Sequence, residues 1–78
     1  MKLPRDVSAE RLIRVLERQG YRIVRQKGSH VRLRHEGPPE HLITIPMHNP
    51  LKIGTPHAIL AEVAQQRHLT VETLAELL

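Results

Sequence analysis

Residues His30–His35, HVRLRH, alternate apolar and polar side chains without a break. Successive side chains on a strand point to opposite faces. Val31 and Leu33 therefore share one face, and His30, Arg32 and Arg34 share the other. Two guanidinium groups and an imidazole on one face resist burial, so that face stays open to water. A sheet built around this strand is covered by helices on one side only, as antiparallel sheets allow.

The flanking residues supply the rest of that sheet. Tyr21–Gln26, YRIVRQ, is rich in strand formers, and Lys27-Gly28-Ser29 interrupts it. Glu36–His41 carries one glycine and two prolines and cannot prolong the central strand. Leu42–Ile45, LITI, reads as a third strand closed by Pro46. The short links favour an antiparallel meander.

Helices bracket the three strands. Ser8 is a good N-cap, with Val7 and Leu12 at hydrophobic-staple spacing. Ala9, Leu12, Ile13 and Leu16 fall on one helical face, and Gly20 is the natural stop, so the first helix runs from about Ala9 to Gln19. After a loop at Met47–Gly54, Thr55 is expected to cap a second helix with Pro56 at its first position. Ile59, Leu60, Val63 and Ala64 form that helix's apolar face. Thr70 then caps a short C-terminal helix with Val71, Leu74, Leu77 and Leu78 on one side. These four apolar residues either fold back on the core or pair with a second copy in a homodimer. The expected fold is α+β in the order α-β-β-β-α, with an antiparallel three-stranded sheet, helices on one face, and a short terminal helix.

A chain of 78 residues reads as one small domain, residues 1–78. There is no cysteine to staple it or to bind a metal as thiolate. MKLPRDVSAERL has no apolar run behind its charges, so no signal peptide is read there. No stretch reaches transmembrane length. A soluble cytoplasmic protein with no membrane partner is expected.

The net charge of +4 conceals an asymmetry. Residues 1–35 hold ten cations against three carboxylates, a net of +7, and residues 36–78 hold two against five, a net of −3. A basic half joined to an acidic half points to a polyanion bound on one side, although a solvated surface of ordinary arginine content has the same composition. Tyr21 is the one aromatic residue among Phe, Trp and Tyr, so there is no platform on which bases could stack. A nucleic acid would be gripped by its phosphates, sugars and groove shape.

Four stretches taken together resemble the HicA family of toxins. They are the helix ending in Gly20-Tyr21, the RQKGSH run from Arg25 to His30, the ITIPMH segment from Ile43 to His48, and the LKIGT stretch from Leu51 to Thr55. The resemblance covers nearly the whole chain. It implies a double-stranded-RNA-binding-domain-like fold, cleavage of mRNA that arrests translation, and a HicB-type antitoxin partner. The family's catalytic histidine falls on His30. One departure is that Pro56 follows Thr55, where the family often has an apolar residue.

The chemistry is consistent with that resemblance. RNA carries its own nucleophile, the 2′-hydroxyl. Cleavage without a metal needs a base near that hydroxyl, charge stabilisation at phosphorus, and an acid for the leaving 5′-oxygen. Histidine is suited to the base role because it titrates near working pH. Lys27 could offset the charge that develops on the phosphorane. Gly28 permits a tight turn and close approach of a ribose-phosphate. Ser29 could orient the imidazole or donate to phosphate. Turn punctuation, a solvated lysine and a strand-capping histidine account for the same residues without catalysis.

Arg32 and Arg34 read as phosphate contacts, or as contacts to an acidic protein. His48, after the third strand, is a candidate acid or phosphate ligand, or an ordinary loop histidine. Lys52 with the helix start at Gly54-Thr55 is a further phosphate site, because free N–H groups there attract anions; plain capping explains Thr55 equally well. A zinc site is disfavoured. His30 and His35 fall on opposite faces of one strand, and no HExxH pair is present. No cofactor is expected. Three functions stay open on these residues: a metal-independent ribonuclease, a non-catalytic RNA-binding module of the same fold, and an interaction subunit whose basic face meets an acidic protein. The first and third coexist in a toxin covered by its antitoxin.

Overall fold

The computed structural model describes residues 6–78. Lys2 and Arg5, counted above in the basic half, lie outside the described residues. The elements run α1 (Ala9–Arg18), β1 (Arg22–Lys27), β2 (His30–His35), β3 (His41–Pro46), α2 (Thr55–Arg67) and α3 (Val71–Ala75). The sheet order is β1-β2-β3 with both pairs antiparallel. This is the expected α+β meander.

Ser8 caps α1 as its sequence position predicts, its hydroxyl accepting from the Arg11 N–H at 3.1 Å. Val7 and Leu12 are both fully buried, as the staple requires. The other end closes in a Schellman arrangement. Gly20 N–H donates to the Glu17 carbonyl at 3.0 Å, and Tyr21 N–H to the Leu16 carbonyl at 3.1 Å. Leu16 and Tyr21 are buried beside this cap. Tyr21 thereby belongs to the helix end, and β1 begins one residue later than its strand-forming side chains suggest.

Val31 and Leu33 on β2, with Ile43 and Ile45 on β3, face inward against Leu12, Leu16, Leu60 and Val63 of the helices. The alternation in HVRLRH is thus reproduced as burial of every second residue. Burying a side chain of this size contributes about 1.5–3 kcal/mol, which fixes which face of β2 looks at water. Leu74 on α3 is fully buried, with Val71, Ala75, Leu77 and Leu78 packed partly against the same core. The terminal segment therefore folds back on its own chain.

Two further features were not given by the sequence reading. All six residues of β1 are exposed, including Ile23 and Val24, because the helical layer covers β2 and β3 but not this edge. Thr55 is the first residue of α2 and not its cap. Its N–H is used in a turn to the Lys52 carbonyl at 3.0 Å, which leaves Gly54 as the cap and shifts Pro56 one position into the helix. Among the described residues, no helix is long and apolar enough to cross a membrane.

Candidate active site

The site grows from the β1–β2 hairpin. Lys27 and His30 are register partners across the two-residue turn Gly28-Ser29. Gly28 has φ +57 while Ser29 stays at negative φ, the pattern of a type II′ hairpin turn. That turn matches the twist of the flanking strands and sets the register of everything below it. A Cβ on Gly28 would meet no atom within 4 Å, so the space beside the turn is open.

Directly opposed residues on paired strands point to the same face. The outer face is therefore built of three rungs. The first holds Lys27, His30 and Pro46; the second Arg25, Arg32 and Thr44; the third Arg22, Arg34 and Leu42. Arg22 and Arg25 are three positions apart and would face opposite ways on a regular strand. The register shift between Ile23 and Arg25 absorbs the extra residue and returns both to one face.

An open pocket of about 240 Å³ sits on the first two rungs, lined by Arg25, Lys27, His30, Arg32 and Thr44. No carboxylate lines it. Among the described residues Arg25, Lys27 and Arg32 form no ion pair, whereas Arg34 is engaged by Glu40 at 2.5 Å. The imidazole of His30 is exposed and makes no hydrogen bond among the described residues. The Ser29 hydroxyl forms no hydrogen bond with it among the described residues. What Ser29 does hold is the end of β3: its carbonyl accepts from the Met47 N–H at 2.7 Å, so pairing continues past the hairpin turn.

His48, Lys52 and Thr55 lie outside this pocket, on the loop that leaves β3 and at the start of α2. The loop is clipped to α1 by Asn49, whose side-chain oxygen accepts from the Ala9 N–H at 3.0 Å and whose amide donates to Glu10 at 3.0 Å. Leu51 N–H adds a bond to the Val7 carbonyl at 2.9 Å. His48 and Lys52 are exposed on this clipped loop.

The inner ends of β2 and β3 carry a second polar cluster. Tyr21, 2 % exposed, places its hydroxyl 2.5 Å from His41 Nδ1, and His41 Nε2 is 2.7 Å from Glu62 Oε2. Arg67 reaches His35 Nδ1 at 2.5 Å and the Pro39 carbonyl at 2.5 Å. Burial pushes the Tyr21 phenol above its ordinary range; Arg67 opposes that shift and Glu62 adds to it. His35 and His41 thus serve the covered side of the sheet, and of the three strand histidines His30 alone faces outward.

Arg25 and Thr44 are the pocket residues that sequence reasoning missed. Arg25 was within reach, because a two-residue turn after Lys27 pairs Lys27 with His30 and hence Arg25 with Arg32. Thr44 was not, since its register depends on the path of the irregular stretch 36–40.

Fold and site together define a small α+β domain whose open sheet face presents an exposed histidine among uncompensated cations, a surface suited to polyanions. The profile described as the HicA toxin of bacterial toxin–antitoxin systems matches residues 9–65, from the first residue of α1 into the last turns of α2. The chain belongs to the HicA toxin family, and every pocket residue lies within the matched span. No curated protein and no solved structure matches the chain.

Proposed function

We propose that the protein is the toxin of a type II toxin–antitoxin system and acts as a metal-independent endoribonuclease on mRNA in the cytoplasm. The observation that carries this reading is the free imidazole of His30 on an open face beside Lys27 and Arg32, neither of which is neutralised by a carboxylate. His30 takes the proton from a ribose 2′-hydroxyl. The 2′-oxygen bonds to phosphorus as the bond to the 5′-oxygen breaks, and an acid returns a proton to that leaving oxygen. The products are a 2′,3′-cyclic phosphate and a 5′-hydroxyl. Lys27 offsets the charge gathered on the phosphorane. Ser29 donates to a phosphate oxygen, and Gly28 leaves room for the sugar-phosphate to approach. Arg32 binds a phosphate, and His48, Lys52 and Thr55 are outer contacts for a longer strand. Arg34 reaches RNA only by giving up Glu40. A HicB-type antitoxin neutralises the toxin by covering this face with carboxylates of its own.

The test is cleavage of a labelled mRNA in EDTA by wild type and by His30→Ala, with analysis of the product ends. Wild-type cleavage that leaves a cyclic phosphate, together with an inert variant, is the expected result. Equal cutting by both removes His30 from the mechanism. Salt-sensitive binding without product from either protein would make the chain a non-catalytic RNA-binding module.

A further inference from the structure

The three rungs of the open face are chemically unlike. The first carries the imidazole and one ammonium. The second carries two guanidinium groups and a hydroxyl, all exposed, with no carboxylate among them. The third keeps one cation without an ion pair among the described residues, Arg22, but Arg34 is held by Glu40, and the β3 position that was Thr44 one rung earlier is now the exposed, apolar Leu42. The pocket follows this division, since it includes both open rungs and stops short of the third.

Rungs on one face are two residues apart along a strand, about 6.6 Å. The step between successive phosphates of an extended single strand is of the same size. The geometry points to Arg25, Arg32 and Thr44 as a second phosphate subsite, one nucleotide from the phosphate that Lys27 and His30 engage, on a single-stranded RNA lying along β2. The assignment rests on reading the first rung as the cleavage centre. Two guanidinium groups from neighbouring strands present their N–H forks to one anion. The Thr44 hydroxyl donates to a third oxygen of the same group. No paired guanidinium site follows at the third rung: Arg22 is its one cation without an ion pair among the described residues, Arg34 is held by Glu40, whose carboxylate would repel a phosphate, and Leu42 offers no donor. On the sheet face the gripped length is therefore short: two phosphates between the Gly28-Ser29 turn and the Arg34–Glu40 pair, with the outer contacts at His48, Lys52 and Thr55 lying off this face.

Salt dependence counts the phosphates held. For single strands each neutralised phosphate adds about 0.7 to the slope of log affinity against log salt. The experiment measures binding of a single-stranded RNA to His30→Ala protein, which binds without cutting, and to the same protein with Arg25→Ala and Arg32→Ala added. The double substitution is expected to reduce the slope by about 0.7, and Arg34→Ala is expected to leave it unchanged. Thr44→Val, nearly isosteric on an exposed strand, is expected to weaken binding by about tenfold. An unchanged slope in the double variant, or an equal loss from Arg34→Ala, overturns the subsite. Wild-type cleavage, assayed separately, distinguishes the two readings: an active enzyme with an unchanged slope loses the subsite alone, and an inactive protein with the expected loss of slope keeps the subsite and loses the cleavage centre.

Discussion

The Tyr21 hydroxyl is hydrogen-bonded to His41 Nδ1 at 2.5 Å, and the far side of the same ring meets Glu62 at 2.7 Å. A carboxylate can only accept, so Nε2 carries a ring proton, and in the neutral imidazole Nδ1 accepts from the phenol. The chain's one Tyr is thus tied through a buried histidine to α2, at the opposite end of the sheet from His30. Removing the hydroxyl by Tyr21→Phe leaves His41 without its partner and is expected to cost about 1–3 kcal/mol. Urea unfolding at neutral pH reads this directly, and an unchanged midpoint would show that the bond contributes nothing.

The same phenol predicts a pH dependence. Its folded pKa is raised above the ordinary 10.0, so the folded state disfavours the phenolate. The stabilisation is complete below pH 10 and is lost as pH rises through the folded value. Wild type is expected to lose stability progressively above pH 10, and Tyr21→Phe, which has nothing to ionise there, to show a flatter alkaline limb. Parallel limbs in the two proteins would assign the loss to other groups.

Gly28 is expected to matter through its backbone and not through crowding. With φ at +57 and open space where a Cβ would sit, Gly28→Ala meets conformational strain alone, about 1–2 kcal/mol. Equilibrium unfolding should show that loss, and Gly28→Asn, which carries the same Cβ into the first position of a type II′ turn, should show one of similar size. An unchanged midpoint in both would show that the turn relaxes to a conformation open to any residue.

Glu40→Ala is expected to release Arg34 and open the third rung. The exposed ion pair itself is worth little to folding, about 0–1 kcal/mol, so stability should barely move. RNA affinity should rise, with a salt slope steeper by about 0.7. No change in slope would show that Arg34 cannot reach a bound strand even when free.

Asn49→Ala is expected to loosen the loop that carries His48. The substitution strips the acceptor from the Ala9 N–H and the donor from Glu10. Amide exchange at Ala9 and Leu51 should accelerate while α2 is unaffected. Unaltered protection at both amides would place the anchoring of the loop elsewhere.

Much of this architecture was legible along the chain because its causes are local. The alternation of HVRLRH decided which face of β2 is buried, Ser8 and Thr70 capped their helices where they stand, and the Gly28-Ser29 turn placed Lys27 opposite His30. Each of these depends on residues within a few positions of one another. Tertiary structure alone decided the rest. Thr44 joins the site through a register set across an irregular loop. Arg34 is withdrawn from it by Glu40, which the same loop supplies. The Tyr21–His41–Glu62 relay joins three elements, and Asn49 reaches back forty residues to Ala9. Such contacts depend on how separated segments meet, and no pattern of period two or 3.6 carries that information.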